Sequence, residues 1–175
     1  MTERIRVRRV AAQDAAACVD GLADVLIDCV AGGASVSFMW PLARDKAVAF
    51  WKMVAHGVER GERALLVAED ADGRIVGTVQ LVLAQSDNQP HRADLAKMLV
   101  HRGARRRGVA QQLMAAADDA ARDEGKTVLV LDTVTGGDAE RLYEREGWQR
   151  VGDVPKYALM PDGSLCGTTF YYKQL

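Results

Sequence analysis

Three consecutive arginines, Arg105-Arg106-Arg107, run into Gly108-Val109-Ala110 between an apolar strand pattern and an amphipathic helix pattern. This junction constrains the fold more than any other stretch of the chain. The strand pattern ends in Met98-Leu99-Val100, and the helix pattern sets Val109, Leu113, Ala117, Ala120 and Ala121 on one stripe. A strand that feeds a helix through a short turn is half of a β-α-β unit, which requires a parallel partner strand. The first turn of a helix presents backbone N–H groups with no intrahelical acceptor, at the positive end of the dipole, and so can hold a phosphate. Gly108 lets the backbone approach an anion closely, and Ala110 keeps the first turn small. The competing reading of three adjacent arginines is a solvated turn. The loop has neither the G-x-x-x-x-G-K-[ST] spacing nor G-x-G-x-x-G with an acidic residue about twenty positions on. A nucleoside triphosphatase and a dinucleotide dehydrogenase are therefore disfavoured.

The rest of the chain narrows the class. Its 175 residues suit one domain, spanning 1–175, with a proper core. A net charge of −1 argues against a nucleic-acid partner. Arg4, Arg6 and Arg8 alternate with Ile5 and Val7 and read as the solvent face of an edge strand. Cys18, Cys29 and Cys166 are odd in number and lack C-x-x-C spacing, which points to reduced thiols and a cytoplasmic chain. No segment reads as a signal peptide or a membrane span. His56, His91 and His101 lack metal-ligand spacing, so no metal site is expected.

Periodicity predicts the elements in turn. A strand over Ile5, Val7 and Val10 precedes a helix capped by Asp14 and running to about Cys29, with Leu22, Val25, Leu26 and Cys29 on one stripe. Gly32-Gly33 ends that helix. Pro41 suits the first turn of a second helix bearing Ala47, Phe50, Trp51, Val54 and Val58, closed by Gly61. Ala64 to Ala68 and Ile75 to Leu83 form a hairpin across Glu69 to Gly73, and a fourth strand follows from Arg92 to Val100. Beyond the third helix, which ends near Gly125, Thr127 to Leu131 is continuously apolar, as a parallel strand covered on both faces would be. A short helix over Ala139 to Glu146 and strands at Trp148 to Val151 and Thr168 to Tyr172 complete the chain. The order β-α-α-β-β-β-α-β-α-β-β predicts an α/β fold with a mixed, mostly antiparallel sheet and one parallel pair.

The spacing R-x-x-G-x-A at Arg105 to Ala110 resembles the pyrophosphate loop of the GCN5-related N-acetyltransferases (GNAT). Gly32 to Met39, Arg92-Ala93-Asp94, Leu131-Asp132-Thr133, Pro161-Asp162-Gly163 and Tyr171-Tyr172-Lys173 extend the likeness over nearly the whole chain, toward the tabtoxin resistance acetyltransferase group. The resemblance implies the acyl-CoA N-acyltransferase fold, with the parallel pair splayed at the fourth and fifth strands. It also implies direct transfer of acetyl from acetyl-CoA to a primary amine of a small amino-acid-like, antibiotic or toxin acceptor. A protein or peptide amine is the alternative acceptor, and a non-catalytic acetyl-CoA-binding module the alternative class. A monomer or homodimer is expected.

Such a site must accept a proton from the amine, stabilise an oxyanion and protonate the leaving thiolate. By the resemblance, the backbone of Met98, Leu99 and Val100 faces the acetyl group, and the N–H of Met98 or Leu99 holds its carbonyl oxygen. The amides of Arg106, Arg107, Gly108, Val109, Ala110 and Gln111 hold the pyrophosphate. Asp94 and Asp132 are both candidates for the base. Strand alternation places Asp94, Ala96, Met98 and Val100 on one face, with Asp94 about 13 Å from Met98 at about 3.3 Å per residue. That distance calls for a relay through water. Asp132 ends the fifth strand beside the cleft, and a salt-bridged or solvated carboxylate is the structural alternative for each. Tyr143 matches the family's general acid, with a core aromatic as the alternative. Where many relatives carry Asn at the start of this helix, the chain has Gly136-Gly137-Asp138. The apolar loop from Ser35 to Trp40 would cover the acceptor pocket or pack the first two helices onto the sheet.

Overall fold

The computed structural model describes residues 5–175. Among these residues seven strands form one sheet: β1 (Arg6–Arg9), β2 (Arg63–Glu69), β3 (Ile75–Leu83), β4 (Arg92–Val100), β5 (Val128–Val134), β6 (Gln149–Leu159) and β7 (Leu165–Gln174). Their order across the sheet is β1-β2-β3-β4-β5-β7-β6, and every neighbouring pair is antiparallel except β4 and β5. The α/β expectation with a single parallel pair is met. Helices α1 (Val19–Ala31) and α2 (Arg44–Glu59) cover one face, while α3 (Val109–Asp123) and α4 (Asp138–Arg145) cover the other.

Two apolar layers hold the helices in place. Leu22, Val25, Leu26 and Cys29 of α1 meet Trp51 and Val54 of α2 over Leu65, Val67 and Leu99. On the opposite face Leu113, Met114 and Ala117 of α3 pack on Val79, Leu81 and Leu95. Each helix stops at a glycine with positive φ, at Gly33, Gly61, Gly125 and Gly147. After α1, the Ala34 N–H reaches the Cys29 carbonyl at 3.0 Å and the Gly33 N–H reaches that of Val30 at 3.0 Å, which satisfies the last turn.

Helix starts depart from expectation. Asp14 caps nothing: it closes a 3-10 turn at Ala12–Asp14, a second turn spans Ala16–Cys18, and α1 begins only at Val19 without a side-chain cap. Pro41 stands outside α2, which begins at Arg44 behind Ala43. β6 and β7 run well beyond the short strands predicted. β5 is fully covered on one face, where Leu129 and Leu131 are buried; on the other face Val128, Val130 and Val134 are half-buried and Asp132 is exposed. β1 is an edge strand as expected, and Arg6 is exposed as predicted, but Arg8 on the same face is half-buried. Its guanidinium meets Glu69 at 2.7 Å beneath the 3-10 turns. Arg4 lies outside the described residues.

The parallel ladder is short. β5 pairs with β4 only at Arg92–Val128, Ala93–Leu129 and Asp94–Val130, then turns away to pair along its whole length with β7. From residue 95 to 100 the edge of β4 faces an open notch.

Candidate active site

The notch is shaped by a bulge in β4. Thr78 pairs with Leu99 and Gln80 with Ala96, so Lys97 and Met98 together oppose the single residue Val79. Lys97 adopts φ 52°, a left-handed conformation that costs energy in any residue with a Cβ. The extra residue turns the strand over. Ala93 and Leu95 before it, and Met98 and Val100 after it, all pack toward α3, whereas Leu99 joins the α1–α2 layer. Asp94 and Met98 therefore lie on opposite faces, which corrects the shared face that simple alternation predicts. Asp94 is also engaged locally, accepting from Arg92 at 2.7 Å, while Gln89 steadies the same guanidinium at 2.9 Å.

At the other end of the notch stands the N-terminus of α3. Arg106 at φ 60° and Gly108 at φ 74° are both left-handed, so the chain curls before it enters the helix. Such alternation directs successive N–H groups into one concavity. No side chain caps the helix, and its first backbone bond runs from the Gln112 N–H to the Gly108 carbonyl. The amides of Val109, Ala110 and Gln111 are thus left without an intrahelical acceptor. A Cβ on Gly108 would meet nothing closer than Gln112 Nε2 at 3.9 Å. Glycine is needed there for its backbone angle more than for space, a refinement of the close-approach argument.

The loop is anchored from α1. Asp28 accepts from the Arg102 backbone N–H at 2.8 Å and from its Nε at 2.9 Å, and His101 Nε2 lies 3.6 Å away. Burial pushes the Asp28 carboxyl up, but the hydrogen bonds and charge of Arg102, with His101, outweigh it and hold it below the usual range. Arg105 Nε and Cys29 Sγ both donate to the Val100 carbonyl, at 3.3 and 3.4 Å. Sequence reasoning missed Asp28, whose partner lies 74 residues away.

Three polar side chains converge on the notch. Asp132 is exposed at the end of β5, and the buried Thr168 hydroxyl lies 2.8 Å from its Oδ2. Its charge is felt by Tyr143 on one side and by Lys97 on the other. Tyr143 is only 6% exposed and lies edge-on to Trp148 and tilted against Tyr171, each at 6.1 Å between ring centroids. Burial, reinforced by the negative charge of Asp132, pushes its phenol up to about 12. Tyr143 is thus a core aromatic and a neighbour of Asp132 at once. Among the described residues its hydroxyl has no hydrogen-bond partner.

Tyr143 is braced from behind. Tyr171 is fully buried, and its hydroxyl lies 3.2 Å from Glu140 and 3.4 Å from Glu144 on α4. Glu140 also accepts from the Gly136 N–H at 2.9 Å, which closes the turn before α4. Lys173 reaches Asp118 of α3 at 2.5 Å and ties the end of β7 to that helix. No side chain caps α4 at Gly137.

Lys97 is the residue that sequence reasoning did not find. Its Nζ donates to Ser37 Oγ at 3.2 Å and stands 5.6 Å from the centroid of Phe50. Phe38 meets Phe50 edge-on at 5.3 Å. The loop from Ser35 to Trp40 also docks on the β6–β7 hairpin, through Ser35 Oγ to the Leu159 carbonyl at 3.0 Å and the Trp40 N–H to that of Pro161 at 3.1 Å. It therefore walls the α2 side of the notch as well as packing the helices. Met39 and Trp40 remain exposed.

Known proteins share this fold. The model of the acetyltransferase (GNAT) domain matches residues 61–150, from β2 to the start of β6. An uncharacterized N-acetyltransferase from the hisH-hisA intergenic region of Azospirillum brasilense is 35% identical over 113 residues, which are 63% of this chain and 65% of that protein. The chain thus matches just under two thirds of that relative's length. Among solved structures, a GCN5-related N-acetyltransferase from Kribbella flavida superposes with a TM-score of 0.78 at 23% identity, covering 98% of both chains. The Salmonella typhimurium protein yncA, solved with acetyl-CoA, superposes with a TM-score of 0.74 at 20% identity, covering 98% of this chain and 94% of its own. At such identities the superpositions establish a common fold. The family match, spanning the bulged strand, the uncapped helix and the splayed strand pair, settles the assignment: the chain belongs to the GNAT acetyltransferase family.

Proposed function

We propose that the chain works as a single-domain, acetyl-CoA-dependent N-acetyltransferase that modifies the primary amine of a small, amino-acid-like acceptor. The carrying observation is the notch itself, with open helix amides at one end and Asp132 between Lys97 and Tyr143 at the other. The amides of Arg106 to Gln111 take the pyrophosphate, and the open edge of β4 takes pantetheine. The chain's residues fit this ligand, because an uncapped helix start behind two left-handed residues is a cradle for phosphate oxygens.

Each residue then has one task. The backbone N–H of Met98, at the bulge, donates to the thioester carbonyl and stabilises the negative charge that develops there. Asp132, oriented by Thr168, accepts the proton of the attacking amine. Tyr143 protonates the departing thiolate. Asp94, held by Arg92 on the other face from Met98, is assigned to positioning rather than proton transfer.

The likeness of Gly32 to Met39 and Pro161-Asp162-Gly163 to the tabtoxin resistance group supports a small acceptor, because these two segments meet in the wall of the notch. Three free cysteines support a reducing, cytoplasmic setting. No helix among the described residues is long and apolar enough to cross a membrane. The test is a screen of amino acids, β-lactam amino acids, aminoglycosides, polyamines and lysine peptides for release of free CoA. Turnover of small amino acids is expected, and efficient turnover of lysine peptides alone would overturn the acceptor class.

A further inference from the structure

We infer that Lys97, supported by Arg63, is the specificity-determining cation that receives a carboxylate on the acceptor, so that amino acids are preferred to simple amines; this rests on the acetyltransferase reading above. Lys97 sits on the bulge beside the proposed acetyl site, and its Nζ uses one of three donor positions on Ser37 Oγ, at 3.2 Å. The Phe50 ring lies 5.6 Å away and supplies a flat apolar wall. Arg63 approaches from β2. Its stem lies over Gly57 of α2, where a Cβ would stand 2.7 Å from Arg63 Cδ, and its guanidinium donates to Gln80 Oε1 at 2.7 Å. Gln80 is buried and pairs with Ala96, the residue before Lys97.

The charge count of this corner is unbalanced. Lys97 and Arg63 are close enough for Arg63 to disfavour the charge on Lys97, and burial lowers the affinity of both for their protons. Among the described residues the one anion whose charge reaches Lys97 is Asp132. The neighbouring carboxylate Asp94 is already paired with Arg92 at 2.7 Å. Arg63 is reached by the charge of its neighbour Glu62, which Arg60 already holds at 2.7 Å. Neither half-buried cation therefore has an ion-pair partner of its own among the described residues, which leaves room for an added anion. The charge of Asp132 reaches Lys97, so that anion must lie close to the amine that Asp132 serves. An α-amino acid carries its two groups at such a separation.

The experiment compares L-amino acids with their methyl esters and the corresponding decarboxylated amines. It reads both CoA release and calorimetric binding to the CoA-loaded protein. Acids are expected to exceed esters by about 10- to 100-fold in kcat/KM, carried mainly by KM, since an ionic hydrogen bond is lost in the ester. Lys97→Met should collapse this ratio toward one, and Lys97→Arg should retain most of it. Equal use of acids and esters by the wild type, or an unchanged ratio in Lys97→Met, overturns the inference. If Lys97→Met does not fold, the wild-type ratio and Lys97→Arg decide. Preferential binding of acids without any transfer would remove the acetyltransferase reading and leave the carboxylate site standing. Equal acetylation of amines lacking a carboxylate would do the reverse, and neither binding nor transfer would remove both.

Discussion

A tyrosine can return a proton to a departing thiolate only if it keeps that proton at the working pH, and Tyr143 is held in that state by burial and by Asp132. Tyr143→Phe preserves the ring contacts with Trp148 and Tyr171, so its expected effect is on kcat, about 10²-fold, with little change in acetyl-CoA affinity measured by calorimetry. A near-normal kcat would return the residue to a purely structural role. Asp132→Asn should lower the rate most at low pH, where the acceptor amine is largely protonated, and the deficit should narrow as pH rises in a pH–rate profile. Asp94→Asn should cost less at every pH, because its carboxylate is tied to Arg92. Asp132 and Tyr143 could be singled out as candidates because the family resemblance picks out the end of an apolar strand and one register of a short helix. Lys97 could not. In the sequence it reads as the polar member of an alternating strand, and only the pairing of Gln80 with Ala96 and Thr78 with Leu99 reveals the extra residue.

Among the elements, α3 must seat its first turn accurately, and two contacts secure it. Gly77 of β3 leaves no room for a side chain: a Cβ would stand 3.0 Å from Val109 Cγ1, 3.1 Å from Leu113 Cδ1 and 3.2 Å from the Leu99 carbonyl. Gly77→Val should destabilise the fold by about 1–3 kcal/mol in chemical denaturation and weaken acetyl-CoA binding as α3 shifts. The Asp28 clamp acts on the other side of the loop. Because the folded carboxyl is held below its unfolded value, the clamp stabilises the protein above the ordinary carboxylate range and is lost as pH falls through the folded value. Asp28→Asn should therefore cost about 1.5–3 kcal/mol near pH 7, with the gap to wild type closing in thermal melts as pH falls below the ordinary carboxylate range. Helix ends were legible because each is a glycine after an apolar stripe. Helix starts were not: Asp14 and Pro41 have the right chemistry, but local 3-10 turns and an extended Ala43 set the real beginnings. The true lengths of β6 and β7 were hidden too, because β6 is largely exposed and carries no alternating apolar pattern.

For the molecule as a whole, one geometric event connects cofactor and acceptor. The parallel pair β4–β5 runs for three residue pairs and then parts, so the amides of α3 and the Asp132–Tyr143 pair open onto one notch between two separately packed layers. The parallel crossover could be read from the strand, loop and helix around Gly108. The wall formed by the Ser35 to Trp40 loop on the β6–β7 hairpin could not, since its contacts span more than 100 residues of chain. The most direct measurement is a thermal-shift titration with acetyl-CoA, wild type against Gly108→Val. Ligand bound by the folded state alone raises apparent stability by about 2.7 kcal/mol at a hundred times its Kd. The wild type should show a dose-dependent rise in Tm. Gly108→Val should lose it, since a β-branched residue cannot hold φ 74° without strain. A wild-type Tm that does not move at saturating acetyl-CoA would contradict the account.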